Sequence, residues 1–240
     1  MLSPRTLLAK ILWLPLSLIP PEAEVRILRG QLRGKKWIKG AGTNAYWVGT
    51  YEVARLRALA NAVSLGAVVY DVGANVGIYS LLASLRVGPS GKIYAFEPLQ
   101  RNLLYLRRHL TLNNVRNCVI LEAAVCNREG TRRFSAAAWH PSMAHLSRDG
   151  EIVVPSTTID SCIYGGKGLR PPNIIKIDVE GAEFEPLEGA SRALAEFHST
   201  IFLEIHGTQL HADCRASLLA KGYRIEERYG QLTAAWRSAT

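Results

Sequence analysis

The sequence predicts an α/β fold: a mostly parallel sheet with helices on both faces and an antiparallel hairpin at one edge. Three observations carry this. From residue 67 onward, short apolar runs alternate with helical stretches, the pattern of buried strands joined by crossover helices. The last two runs, 223–227 and 232–236, are separated by only a few residues. That is too short for a parallel crossover, so these two strands pair antiparallel. The composition suits a packed domain, with 240 residues, 48% hydrophobic, 20 Gly and 11 Pro, and it excludes disordered, collagen-like and low-complexity classes.

Along the chain, residues 7–19 are almost wholly apolar, interrupted by Lys10 and Pro15. This run falls short of the roughly 20 residues that span a bilayer, and residues 19–22 supply no small-residue cleavage site. Ser3 and Pro4 read as the cap and first residue of a helix. Leu7, Ile11, Leu14 and Leu18 share one face of it, and Pro15 kinks it. With Arg5 and Lys10, residues 4–19 would allow peripheral membrane contact. Residues 24–40 read as two short strands around 31–34, and 51–64 as a helix with Val53, Leu56, Leu59, Ala60 and Val63 on its apolar side. Residues 1–64 are thus expected to pack on a main domain over 65–240.

In that domain the expected strands are 67–70, 91–96, 119–121, 174–177 and 201–205. Helices are expected over 76–87, 98–113, 182–197 and 210–221. Between 126 and 161 the alternation lapses. A strand is expected over 131–136, and 139–150, rich in His, Ser and Pro, reads as a lid or specificity segment, because long irregular stretches are usually functional.

The net charge of +9 and isoelectric point near 9.6 favour anionic partners. Cys118, Cys126, Cys162 and Cys214 form no C-x-x-C pair and no zinc spacing. They read as buried thiols of a protein from a reducing, cytoplasmic compartment.

Ligands of such sheets bind beyond the carboxyl ends of the strands. The first strand runs into Asp71-Val72-Gly73-Ala74-Asn75-Val76-Gly77, where Gly73 and Gly77 let the backbone approach a ligand. The next strand ends at Glu97, 24 residues past Gly73, a spacing that suits an acid accepting both ribose hydroxyls. A dinucleotide would want G-x-G-x-x-G, but Asn75 replaces the second glycine and Asp71 repels a pyrophosphate. S-adenosylmethionine has no phosphate, and its amino group and sulfonium suit carboxylates, so this cofactor is favoured over NAD. The later strand ends carry Lys176, Asp178, Glu180 and Glu183, then Glu204 and His206. Ionisable groups gathered at the expected crevice mark a site. Asp178 or His206 would take a proton from an acceptor hydroxyl, with Glu204 orienting the histidine or the substrate. Asp178, Glu180, Glu204 and His206 leave room for a divalent metal, but no spacing specifies one and no metal ligands are assigned.

The runs YDVGANVGIYS (70–80), FEP (96–98), STTIDS (156–161), IIKIDVEGAE (174–183), EGA (188–190) and FLEIH (202–206) closely resemble the FkbM-type family of S-adenosylmethionine-dependent methyltransferases. Residues 33–52 resemble the lead-in seen in many members. The resemblance implies a class I methyltransferase (Rossmann-like) fold and O-methylation of a sugar, glycoconjugate or related natural product. It assigns Asp71, Gly73, Asn75 and Gly77 to the first cofactor motif, Glu97 to the ribose and Ala124 to the adenine. Glu52 is assigned to the methionine end and Asp178 to the side facing the transferred methyl. The expected partner is a hydroxylated small molecule or glycan. The alternatives are an RNA methyltransferase and a non-catalytic binding module on the same fold. The charge and Arg101, Arg107, Arg108 and His109 on one predicted helix encourage the RNA reading. Against it, Asp178-Val179-Glu180-Gly181 is not the Pro-Pro-aromatic motif that holds a flipped adenine, and no Pro-Cys pair offers a cytosine nucleophile, so no nucleic acid is expected.

Overall fold

The computed structural model describes residues 18–135, 145–146 and 150–236. Glu24–Arg26 (β1) and Lys36–Ile38 (β2) form an antiparallel hairpin. Ala45–Val48 (α1) and Val53–Ala62 (α2) follow. The hairpin is fastened by His109, which is fully buried and stacks on Trp37 with ring centroids 3.6 Å apart. Its Nε2 accepts the Ile38 amide at 3.0 Å and its Nδ1–H donates to the Val76 carbonyl at 2.7 Å. Burial lowers its pKa to about 4, so this histidine is a neutral structural pin and not part of a basic surface. The predicted N-terminal helix and the basis for membrane contact through 4–19 lie outside the described residues, apart from 18–19. No helix among the described residues is long and apolar enough to cross a membrane.

The main sheet is built from Val68–Val72 (β3), Lys92–Phe96 (β4), Cys118–Leu121 (β5), Ile174–Ile177 (β10), Thr200–Glu204 (β11), Tyr223–Arg228 (β12) and Gln231–Trp236 (β13). A smaller sheet holds Ala124–Val125 (β6), Gly130–Ser135 (β7), His145–Leu146 (β8) and Ile152–Thr157 (β9). The main order is β12-β13-β11-β10-β3-β4-β5, and the small one is β6-β9-β7-β8. The five strands from β11 to β5 are parallel, whereas β13 runs antiparallel to both β11 and β12. The expected parallel sheet with an antiparallel hairpin is present, with β13 inserted and β12 at the edge.

Helices cover both faces, and the two-residue period of the strands sorts the core. Val69, Ile93, Ile174 and Phe202 face α2 and Ile78–Arg86 (α3), while Leu103, Leu106 and Leu110 of Gln100–Leu112 (α4) cover Ala95 on the same side. Tyr70, Phe96, Ile175, Ile177 and Leu203 face the other layer. That layer contains Ile159–Tyr164 (α5), Phe184–Glu188 (α6), Ser191–Phe197 (α7) and Thr208–Ala220 (α8).

Two expectations need correction. The single helix over 182–197 is two, broken at Gly189-Ala190. A Cβ on Gly189 would collide with the Cys126 carbonyl, and Asp160 accepts the amides of Arg192 and Ala193 that open α7. The stretch 126–161 is also more regular than its composition suggests. β9 contains Pro155, which argues against an interior strand, but β6 pairs with β9 only at Ser156 and Thr157. The amide that proline lacks therefore has no ladder partner to lose. Most of 139–150, expected to be a lid or specificity segment, lies outside the described residues.

Candidate active site

Gly73 opens the first turn after β3 with φ +75°, and its amide donates to the Phe96 carbonyl at 3.0 Å. A Cβ there would meet the Asp178 carbonyl. Two strand ends therefore touch through this glycine. Gly77, with φ +95°, faces Leu106, whose Cδ1 would lie 2.5 Å from an added Cβ. Replacing Gly73 by alanine is expected to cost about 3 kcal/mol or more, since backbone cannot retreat. Gly77→Ala should cost about 1–3 kcal/mol, because the Leu106 side chain can move. Denaturant unfolding checks the order, and equal losses would refute it.

Between the ends of β3, β4 and β10 lies a pocket with about 660 Å³ of empty space, its mouth included. Gly73, Asn75, Glu97, Asn102, Ala124 and Asp178 line it, together with apolar Phe96, Leu99, Val125, Phe134 and Val179. Glu97 is 4% exposed. Its Oε1 accepts from the Leu99 amide at 2.9 Å and Asn102 Nδ2 at 3.2 Å, and its Oε2 from the Asn75 amide at 2.8 Å. Burial outweighs these donors and pushes its pKa up to about 7. Asn102, 2% exposed, leaves Oδ1 without a hydrogen-bond partner.

Beside the pocket is a cluster of charges. Lys176 and Asp71 are register partners on adjacent strands, 4% and 1% exposed and 3.3 Å apart. The ammonium also donates to the Gly73 carbonyl at 2.9 Å and lies 3.7 Å from Asp178. Arg55 bridges Glu52 at 3.0 Å and Glu204 at 2.5 Å, and donates to the Tyr229 carbonyl. Tyr79 donates to the second oxygen of Glu52. His206 Nδ1–H donates to Glu183 Oε1 at 2.7 Å, while Nε2 lies 3.7 Å from Glu180 and 3.9 Å from Glu204. Side-chain atoms of Asp178, Glu180 and His206 come within 4.8 Å of one another. The Glu183 hydrogen bond and the surrounding carboxylates push the His206 pKa up to about 9. Glu52, Asn75 and Glu180 all hold left-handed backbone, with φ of 38°, 49° and 53°, a strain that gathers at functional sites.

The sequence profile described as the Methyltransferase FkbM domain matches residues 71–225. The chain belongs to the FkbM methyltransferase family. It is 28% identical over 143 residues to the hexuronic acid methyltransferase AglP of Haloferax volcanii, covering 58% of this chain and 56% of that protein. It is 27% identical over 177 residues to the 31-O-demethyl-FK506 methyltransferase FkbM of Streptomyces tacrolimicus, covering 59% and 66%. The chain thus spans less than two thirds of either relative. The crystal structure of the methyltransferase FkbM from Methylobacillus flagellatus superposes with a TM-score of 0.53 at 16% identity, over 80% of this chain and 53% of that one. The fold is that of the class I S-adenosylmethionine methyltransferases.

In this FkbM fold the pocket gathers Gly73, Asn75, Glu97, Ala124 and Asp178, and leaves other candidates elsewhere. Asp71 is turned under the turn, held by Ser80 at 2.6 Å and by Lys176. Gly77 serves helix packing against Leu106. Glu52, Glu204 and His206 stand in the adjoining cluster and do not line the pocket. Glu204 is drawn to Arg55, so the histidine is oriented by Glu183, which is fully buried. Sequence reasoning missed Arg55, Asn102 and the role of Glu183. Asn102 had a signal, lying five residues past Glu97 and within the first turn of α4. The Arg55–Glu204 pair joins residues far apart in the chain and had none.

Proposed function

We propose that this chain is an S-adenosylmethionine-dependent methyltransferase acting on a hydroxyl of a sugar, glycoconjugate or related natural product. The observation that carries the proposal is the buried Glu97 carboxylate at the wall of an otherwise largely apolar pocket, beside a glycine turn. A carboxylate this buried, perturbed toward neutral pH, is an acceptor prepared for paired hydroxyl donors such as those of a ribose. The orphaned Asn102 Oδ1 next to it marks a wall short of a hydrogen-bond partner. Leu99, Ala124, Val125 and Phe134 give an adenine an apolar slot. Gly73 and Asn75 would hold the methionine end, with the Asp178 carboxylate facing the cationic sulfonium, a charge that S-adenosylhomocysteine lacks.

The cofactor, when bound, supplies a methyl group on a positive sulfur. This chain's part is to align an acceptor oxygen with that methyl, which is worth effective molarities of about 10⁵–10⁸ M. It must also remove the hydroxyl proton, worth about 10²–10⁴-fold. We assign the second task to Asp178, on the pocket wall, or to His206, in the cluster beside it. The relatives named for a hexuronic acid and for 31-O-demethyl-FK506 support an oxygen acceptor.

Methyl-labelled cofactor incubated with methyl hexosides and hexuronic acids is expected to give a product whose label survives alkali, because ethers resist base and methyl esters hydrolyse. Asp178→Ala should remove most transfer while S-adenosylhomocysteine still binds. Alkali-labile label, or unchanged turnover in that variant, would contradict the proposal.

A further inference from the structure

We infer that Glu183 is a positioning residue that holds His206 with Nε2 toward the crevice, so that Nε2 is the atom that receives the acceptor's proton. This rests on the hydroxyl-directed transfer proposed above. Glu183 has no exposed surface. Its Oε1 accepts both His206 Nδ1–H at 2.7 Å and the Gly181 amide at 2.8 Å, and its Oε2 is buried without a hydrogen-bond partner. Apart from that backbone amide, the charge of this carboxylate is spent on one imidazole N–H. A buried acid on Nδ1 fixes the tautomer that leaves Nε2 free to accept, and it stabilises the imidazolium formed when a proton arrives. His206 lies two residues past the end of β11 and its side chain is about a third exposed, so solvent can take the proton away afterwards.

The other groups facing His206 are otherwise engaged or act on its charge. Glu204, at the end of β11, is bound by Arg55 from α2. Asp178, past the end of β10, is paired with Lys176. Glu180 lies 3.7 Å from Nε2. Glu183, Glu180 and Asp178 all favour the protonated ring. In the step itself, the acceptor oxygen's lone pair forms the new carbon–oxygen bond as the carbon–sulfur bond breaks with its electron pair left on sulfur. The acceptor's O–H bond breaks in the same event and its proton passes to Nε2. Only neutral His206 can accept, so turnover should climb about tenfold per pH unit until it levels near pH 9.

The test is a nitrogen-15 NMR titration of His206 in the full chain, wild type and Glu183→Gln, with and without S-adenosylhomocysteine. It is paired with the pH profile of labelled-methyl transfer to the hexoside and hexuronic acid panel. The expected result is a wild-type midpoint near 9 that falls by at least about one unit in Glu183→Gln, with the alkaline limb of the rate profile moving alongside it. His206→Gln, at a partly exposed position, should lower turnover by at least about 100-fold without changing S-adenosylhomocysteine affinity. It serves as the second variant if the buried substitution prevents folding. An ordinary histidine midpoint in wild type, a midpoint unmoved by Glu183→Gln, or full turnover in His206→Gln would each overturn the inference. Failure of S-adenosylhomocysteine to bind would instead defeat the methyltransferase proposal. The titration of the ligand-free protein still decides the geometry of the pair.

Discussion

Glu97→Ala is expected to weaken S-adenosylhomocysteine binding by about 10²–10⁴-fold, since two hydrogen bonds to a charged acceptor contribute about 1.5–3 kcal/mol each. The affinity of the wild type should also depend on pH in a stated direction. In the proposed binding mode the ribose hydroxyls would donate to the ionised carboxylate, and burial has raised the Glu97 pKa to about 7. Binding should therefore strengthen by roughly tenfold between pH 6 and pH 8. In the cofactor-free protein the sign is opposite for stability. A carboxyl raised from 4.5 to about 7 contributes to folding below the lower value and loses that contribution as pH rises through the higher one. Glu97→Gln should flatten both dependences. Calorimetric titration at the two pH values reads the first effect, and a wild-type affinity independent of pH would remove Glu97 from the ribose.

Lys176→Met is expected to destabilise the fold by about 3–5 kcal/mol, because it leaves buried Asp71 and part-buried Asp178 without their shared cation. In a domain of this size that lowers the unfolding midpoint by roughly 6–20 °C. Lys176 is 4% exposed and Asp71 1%, so water cannot replace the lost partner. Adding Asp71→Asn to Lys176→Met should recover part of the loss, since the second change removes the stranded charge. Thermal and denaturant unfolding of the single and double variants measures the coupling. A double variant less stable than Lys176→Met alone would show that the pair is not the unit described.

The parallel core was legible because its strands are short apolar runs with one dominant environment, and the glycine turn and Glu97 because local sequence carries their geometry. The small sheet was not, since β6 and β8 are two residues each and β9 contains a proline whose harmlessness depends on where its neighbour stops. The charge cluster shows the same division. That Asp178, Glu183, Glu204 and His206 gather at adjacent strand ends follows from topology. Which acid serves which base does not. Lys176 could pair with Glu204 on sequence grounds, yet strand register gives it Asp71 and leaves Glu204 to Arg55. His109 illustrates the converse. On a helix with three arginines it counts among the basic residues that encourage an RNA reading, but packing of Trp37 against α4 buries it entirely.

The central claim, that the pocket at Glu97 takes S-adenosylmethionine, is tested most directly by thermal unfolding with S-adenosylhomocysteine and with NAD in parallel. Ligand at about 100 times its dissociation constant adds about 2.7 kcal/mol, which for this chain is a midpoint rise of roughly 5–11 °C. The predicted result is that rise with S-adenosylhomocysteine and none with NAD. A cooperative transition unmoved by S-adenosylhomocysteine, or moved equally by NAD, would contradict it.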